Sequence, residues 1–504
     1  MQQQNRPNII LILTDQFRGD CVGADGNPYI YTPFLDSMAD RGVLFRRGYS
    51  PSPTCIPARA CMVTGQMPTN AGFFTNNFAQ VWDYPDTMMT QLRDGGYQTI
   101  NIGKNHFKPY RSCLGFEINR VYETGRDENG EPSDYQLWLN DVTGGRVTDT
   151  ALTSDNNSWV VMPWNQDPEL HPSAWTADEA VRQLRHRDTT RPFYMQVSFH
   201  RPHPPLDPPA ELLRMYENID LPKPVEGEWS KKYAIASHNI SPFEGKIAER
   251  DIMLAKRAYY AQITFIDRQI GKILTYLQKS RLMQNTIIVF TADHGELLGD
   301  HNMFRKGPAF EGSARVPFIV CGPGVKHSIA KSVENEPVSL IDLLPTFLDY
   351  AGITPRASYD GVSLKPLLSG DCCPENWERK YIYGENYRDM KAFGIQVGWD
   401  FVVDKQYKYV WNSITGDEYF FDLENDRDEL YNLIAEPSLQ EKIAEMRTFL
   451  IDQFKDRPGD GLLNEDGTLH SPSLLSSYRP PEWAKLSREE VLKKPPVGMG
   501  FPSM

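Results

Sequence analysis

The segment Asn8–Thr14 (NIILILT) carries an apolar, β-branched-rich run on both alternations and stops at Asp15. A strand with no polar face needs cover on both sides, the situation of a parallel sheet inside an α/β domain. Three further runs behave alike. Tyr97–Ile102 ends in Gly103-Lys104, Phe193–Phe199 runs into His200 and His203, and Thr286–Thr291 stops just before Asp293. Each strand releases polar, chemically able residues at its C-terminal end, where open α/β sheets bind their ligands.

Helical patterns separate these runs. Thr32–Arg41 has Thr as a cap, Pro at the first helical position and Gly42 as a stop. Ala255–Lys279 is a long amphipathic stretch, and Ser339–Ala351 is another, closed by Gly352. The alternation predicts an α/β fold with a large mixed, mostly parallel central sheet flanked by helices, over residues 1–372. The pattern then changes. Tyr381–Tyr387, Gly394–Trp399, Phe401–Val403, Tyr407–Trp411 and Glu418–Asp422 read as short strands of a small antiparallel sheet, with Leu439–Phe454 as a covering helix. Residues 373–504 are therefore expected to form a smaller α+β unit, ending beyond Arg457 in an extended, Pro-, Gly- and Ser-rich tail.

Composition narrows the function. With 504 residues, 40% hydrophobic and 12% aromatic, the chain has ample material for a core and is not disordered. A formal charge of −13 argues against nucleic-acid binding, so an anionic substrate would need positive charge gathered in one site. The longest aliphatic run, Ile9–Leu13, is too short to span a membrane. The opening MQQQNRPNII has no apolar signal region, so the chain as written reads as cytoplasmic, or as periplasmic or secreted if a signal peptide has been removed. Seven Cys do not make a disulfide framework in a chain this long.

The most informative segment is Cys55-Ile56-Pro57-Ala58-Arg59, expected to open a helix with Cys55 at its start. A helix N-terminus stabilises anions, and Arg59 adds a fixed positive charge one turn along. Taken alone, such a Cys is as well explained as a buried structural thiol.

C-x-P-x-R resembles the signature of the formylglycine-dependent (type I) sulfatases, within the alkaline-phosphatase-like superfamily. Thr64-Gly65-Gln66-Met67-Pro68 resembles the continuation of that signature. Gly103-Lys104-Asn105-His106 is similar to the family's G-K-x-H segment, and Ser198–Pro205 to its strand ending in Pro-His. Asp293-His294-Gly295 with Gly299-Asp300-His301 and Lys306-Gly307 resembles a further block, and Pro7–Gln16 the first strand. The motifs follow the family's order from about residue 7 to 317.

The resemblance implies a sulfuric ester hydrolase acting on sulfate monoesters, sulfated sugars or aryl sulfates, with Cys55 oxidised to formylglycine by a maturation enzyme. The hydrated aldehyde offers one hydroxyl to attack sulfur and a second to expel sulfate. It implies Asp15, Gln16, Asp293 and His294, with Cys55 itself, around one divalent metal. Ca2+ suits the oxygen-rich set best, and Gln16 and His294 leave Mg2+ or Mn2+ open. Arg59 would hold the formylglycine hydroxyl, Lys104 a sulfate oxygen and His106 the second hydroxyl. His203 and Lys306 would bind sulfate and serve the leaving oxygen. Asn76 and Asn77 are candidates to touch substrate; Arg201, Trp82 and Trp164 are candidates for a sugar pocket. His200 and His301 stay outside the catalytic set. Two other readings remain: a phosphonate monoester hydrolase or phosphodiesterase of the same superfamily, and, should Cys55 stay a thiol, a non-catalytic sulfated-glycan-binding protein.

Overall fold

In the computed structural model, residues 6–78, 80–123, 131–149, 157–237, 239–372, 376–377, 379–390, 395–457 and 462–470 are described. The strands among them, in chain order, are β1 (Asn8–Asp15), β2 (Val43–Phe45), β3 (Gly48–Tyr49), β4 (Gln98–Gly103), β5 (Ile118–Val121), β6 (Phe193–Pro202), β7 (Thr286–Ala292), β8 (Phe318–Cys321), β9 (Val338–Ser339), β10 (Ile382–Met390), β11 (Ile395–Val403), β12 (Tyr407–Asn412) and β13 (Glu418–Asp422).

The main sheet runs β2-β8-β7-β1-β6-β4-β5. Strands β7, β1, β6, β4 and β5 are mutually parallel, and β8 is antiparallel to both of its neighbours. Every residue of β1, β4, β6 and β7 is buried, as their unbroken apolar runs require. The helices Pro172–His186 and Glu249–Lys279 pack against each other and on β6. Cys55–Thr64, Met88–Asp94 and Leu343–Ala351 form a second packed group.

The helix expected over Thr32–Arg41 spans Pro33–Ala39, but Thr32 does not cap it with its side chain. Its hydroxyl instead accepts from the Gly23 backbone N–H, and the Asp267 carboxylate accepts from Phe34 and Leu35 N–H at 3.2 and 2.8 Å. A distant helix thus supplies the cap. The long helix begins at Glu249, earlier than Ala255, with the charged residues Glu249-Arg250-Asp251 opening it ahead of buried Ile252 and Met253.

The second sheet has the order β10-β11-β12-β13, all antiparallel. The separate strands expected over Gly394–Trp399 and Phe401–Val403 are one strand, β11. Asp400 does not interrupt it, because its backbone pairs in register with Trp411 and its carboxyl is buried. Alternate residues serve two cores. Phe401, Val403, Val410 and Phe421 face Tyr49, Leu297 and Phe310 of the larger unit, while Val402, Tyr409, Trp411 and Phe420 face Ile443, Met446 and Leu450 of the helix Gln440–Phe454. Lys408, 0% exposed, sits at this seam with Glu311 and Glu429 each 2.9 Å away. The expected boundary at 372/373 adjoins residues 373–375, and most of the expected tail, 458–461 and 471–504, also lies outside the described residues.

Candidate active site

Register brings the first two carboxylates together. In the β1–β7 pair Thr14 lies opposite Ala292, so the next residues, Asp15 and Asp293, leave the sheet side by side. The backbone then turns at Gln16 (φ 66°), and the N–H groups of Gln16 and His294 both donate to Asp293 Oδ1, at 3.2 and 3.0 Å. The helix Cys55–Thr64 points its start at this pair. Asn76 Oδ1 accepts from the Ile56 N–H at 2.9 Å, so this asparagine caps the helix.

Cys55 Sγ lies 3.1 Å from His294 Nε2 and donates to Asp15 Oδ1 at 3.7 Å. One ligand atom from each of Asp15, Cys55, Asp293 and His294 falls within 4.8 Å of the others, and all four residues are buried. His294 Nδ1 is 2.8 Å from the Gly295 carbonyl, which fixes its proton there and leaves the Nε2 lone pair toward Cys55 and both carboxylates. Two carboxylates and a preset imidazole, all buried, are a donor set that fits a divalent cation. Gln16 stands beside this group: its amide oxygen accepts from Lys306 Nζ at 2.5 Å and its amide nitrogen donates to Glu296.

The cations surround the same point. Arg59 Nε donates to Asp293 Oδ2 at 2.8 Å, and Nη1 donates to the Lys104 carbonyl and to Ser198 Oγ. Its Nη2 is buried without a partner among the described residues. Lys104 Nζ pairs with Asp15, and the His203 backbone N–H donates to the Asp15 carbonyl at 3.1 Å. His203 Nδ1 lies 2.8 Å from the Pro204 carbonyl, leaving Nε2 as its second polar atom. His106, also at positive φ (64°), is held by Glu123, which accepts from the His106 and Asn105 backbone N–H groups and sits 3.8 Å from the His106 ring.

Burial opposes every one of these charges, and pairing decides which survive. Burial would raise Asp15, but Lys104 and Lys306 outweigh it and hold the carboxyl well below its usual range. Desolvation would lower Lys104, but Asp15 holds it above its ordinary value. Burial, then Lys306, pushes His203 well below the imidazole range. Burial, reinforced by Asp15, pushes the Cys55 thiol up to about 11.

The three residues expected for a sugar pocket are used otherwise. Arg201 is locked bidentately on Asp207 at 2.7 and 2.6 Å, Trp164 is buried with its indole N–H on the Asp167 carbonyl, and Trp82 packs in a ring cluster with Phe73 and Phe107. Glu123, Ser198 and Glu296 were not singled out in the sequence. Their only signal is position: Ser198 two residues before His200 on β6, Glu123 just past β5, Glu296 in the turn after β7. Of the two histidines set aside, His301 is a core residue, packed on Trp229 and Phe310 with Nδ1 accepting from the Gly227 N–H. His200 is equally buried, and its ring lies 5.1 Å from that of His203.

A family model described as sulfatase matches residues 7–353, and one described as the C-terminal part of N-sulphoglucosamine sulphohydrolase matches 299–456. An arylsulfatase of Clostridium perfringens is 38% identical over 94% of this chain and 98% of its own. An N-acetylglucosamine-6-O-sulfatase of Bacteroides thetaiotaomicron is 25% identical, over 91% and 88%. The solved phosphonate monoester hydrolase of Agrobacterium radiobacter superposes with a TM-score of 0.75 at 26% identity, covering 92% of this chain and 99% of its own. With the strand-end motifs in the family's order on an alkaline-phosphatase-like sheet, these likenesses make the chain a member of the type I sulfatase family, a sulfuric ester hydrolase.

Proposed function

We propose that this sulfatase cleaves sulfate monoesters of sugars, using formylglycine made from Cys55 as nucleophile and one divalent cation. The observation that carries the reading is the convergence of Cys55 Sγ with Asp15, Asp293 and His294 at the ends of β1 and β7. Asp15, Asp293 and His294 would hold the cation, with Gln16 completing the set by turning its amide oxygen from Lys306. Ca2+ remains the first candidate, and the His294 nitrogen keeps Mn2+ and Mg2+ in view. Bound there, the cation supplies a Lewis acid for a sulfuryl oxygen and lowers the pKa of the attacking hydroxyl.

The chain's own residues divide the remaining work. Arg59, anchored on Asp293, orients the nucleophile. Lys104 and Lys306 turn from Asp15 and Gln16 to neutralise sulfuryl oxygens. His203, with Nδ1 fixed on the Pro204 carbonyl, has Nε2 for the leaving oxygen. His106, steadied by Glu123, takes the proton of the second hydroxyl. Asn76 acts through the helix it caps, and Asn77 beside it meets substrate. Residues 1–372 are the catalytic unit and 373–504 the smaller unit that braces it. The sugar assignment rests on the names of the C-terminal family model and of the Bacteroides relative.

The test uses protein made with a maturation enzyme present. Mass spectrometry should find an aldehyde in the Cys55 peptide, and elemental analysis one divalent ion per chain that EDTA removes together with activity. Fully active protein carrying an unmodified thiol sinks the reading. The likeness to a phosphonate monoester hydrolase keeps a second reading alive: faster turnover of phosphonate monoesters or phosphodiesters than of any sulfate ester would favour it.

A further inference from the structure

His200 is the anomaly of the site. It lies on β6 two residues after Ser198, whose hydroxyl accepts from Arg59, so alternation directs both side chains to the same face of the strand. Its ring is 5.1 Å from the His203 ring and 5.9 Å from that of Tyr122. The residue is 5% exposed, and neither ring nitrogen has a hydrogen-bond partner among the described residues. Buried polar side chains in native folds are nearly always paired, so two orphaned nitrogens on one ring at a catalytic centre call for a ligand. His171 and His301, equally buried, each have a ring nitrogen accepting a backbone N–H.

Charge limits what that ligand is. Burial first, then Lys104 and Arg201, hold His200 well below the imidazole range. A neutral ring presents one N–H donor and one acceptor nitrogen. The donor can be met by any sulfuryl or ester oxygen. The acceptor needs a hydrogen that a sulfate ester group does not have. With Lys104 and Lys306 engaged by the sulfuryl group, a hydroxyl on the organic part of the substrate can supply that hydrogen.

We infer that His200 is a specificity-determining residue that accepts a hydrogen bond from a hydroxyl adjacent to the sulfate ester, selecting sulfated polyols such as sugars over esters with no neighbouring hydroxyl. The inference rests on the sulfatase reading above and deepens it.

The experiment measures kcat/KM of the matured enzyme on glucose 2-, 3- and 6-sulfate, on the deoxy analogue lacking the vicinal hydroxyl of the best of these, and on 4-nitrophenyl sulfate. Wild type should prefer the hydroxylated sugar to its deoxy analogue by about 10–100-fold, the cost of leaving a buried acceptor unmet. His200→Phe should bring that ratio close to one, and His200→Gln, which keeps an acceptor, should restore part of it. Thermal melts establish that both variants are folded, and should the Phe variant fail to fold, His200→Leu takes its place. An unchanged ratio in the Phe or Leu variant, a wild-type ratio near one, or turnover of 4-nitrophenyl sulfate with no glucose sulfate accepted each overturns the inference and leaves the sulfatase reading standing. No turnover of any sulfate ester, 4-nitrophenyl sulfate included, removes both.

Discussion

In the main sheet, β1, β4, β6 and β7 run parallel, so Asp15, Lys104, His200 and Asp293 emerge along one edge. In the second sheet neighbouring strands are antiparallel, the ends alternate between two edges, and side chains are spent on two apolar cores. It reaches toward the site through a brace: Thr54 Oγ1 donates to Asn386 Oδ1, and Asn386 Nδ2 donates to the Gly307 carbonyl, each at 3.0 Å. That amide ties the residue before Cys55 to the residue after Lys306. One sheet concentrates buried charge, which weakens a fold unless compensated; the other concentrates buried apolar area, which strengthens it. Changes in the first should cost catalysis, and changes in the second should cost stability.

The sharpest contrast comes from Cys55→Ser in a host that oxidises only cysteine. Turnover of 4-nitrophenyl sulfate should fall by about 10⁴-fold or more, the scale of losing a nucleophile, with the melting temperature little changed. Phe401→Ala should do the reverse. Removing this fully buried ring should cost about 3–5 kcal/mol in urea unfolding while the folded fraction keeps its kcat. A large kcat loss there would break the division between the sheets. Lys104→Ala should lower kcat/KM by about 10²–10³-fold, with a smaller shift in unfolding midpoint than Phe401→Ala.

The smallest effect is at the seam. Burial holds His301 down at about 4, against the ordinary 6.5, so the folded chain keeps it neutral while the unfolded chain protonates it first. Its contribution is fully present above pH 6.5 and is lost as pH falls toward 4, about 1–2 kcal/mol by pH 5. Unfolding free energies at pH 7 and 5 for wild type and His301→Gln should differ in slope by that amount, and equal slopes would rule it out.

Much of the main sheet was legible in the sequence because strands covered on both faces are written as unbroken apolar runs, and because Asp15 and Asp293 stop two of those runs. The adjacency of β1 and β7 followed from that chemistry and is seen in their register. The short strands β2, β5 and β8 left no such trace. Asp400 read as a break because sequence alone does not reveal that its carboxyl is enclosed. Glu123 and Asp267 were invisible for another reason: each acts on backbone N–H groups far along the chain, and a lone acidic residue carries no mark of the turn or helix it will hold. His200 and His301 look alike as letters, and only their neighbours separate them.

Cys55 is 2% exposed and lies against His294, a residue 239 positions later. An enzyme that must grip the Cys55 segment cannot do so once that contact has closed. During synthesis at about 5–20 residues per second, the part of the chain that seals the cysteine arrives about 12–50 s after it. On the proposed formylglycine reading, maturation of Cys55 is a race against folding, and conditions that speed folding, or starve the cell of the maturation enzyme, would leave well-folded but inactive copies.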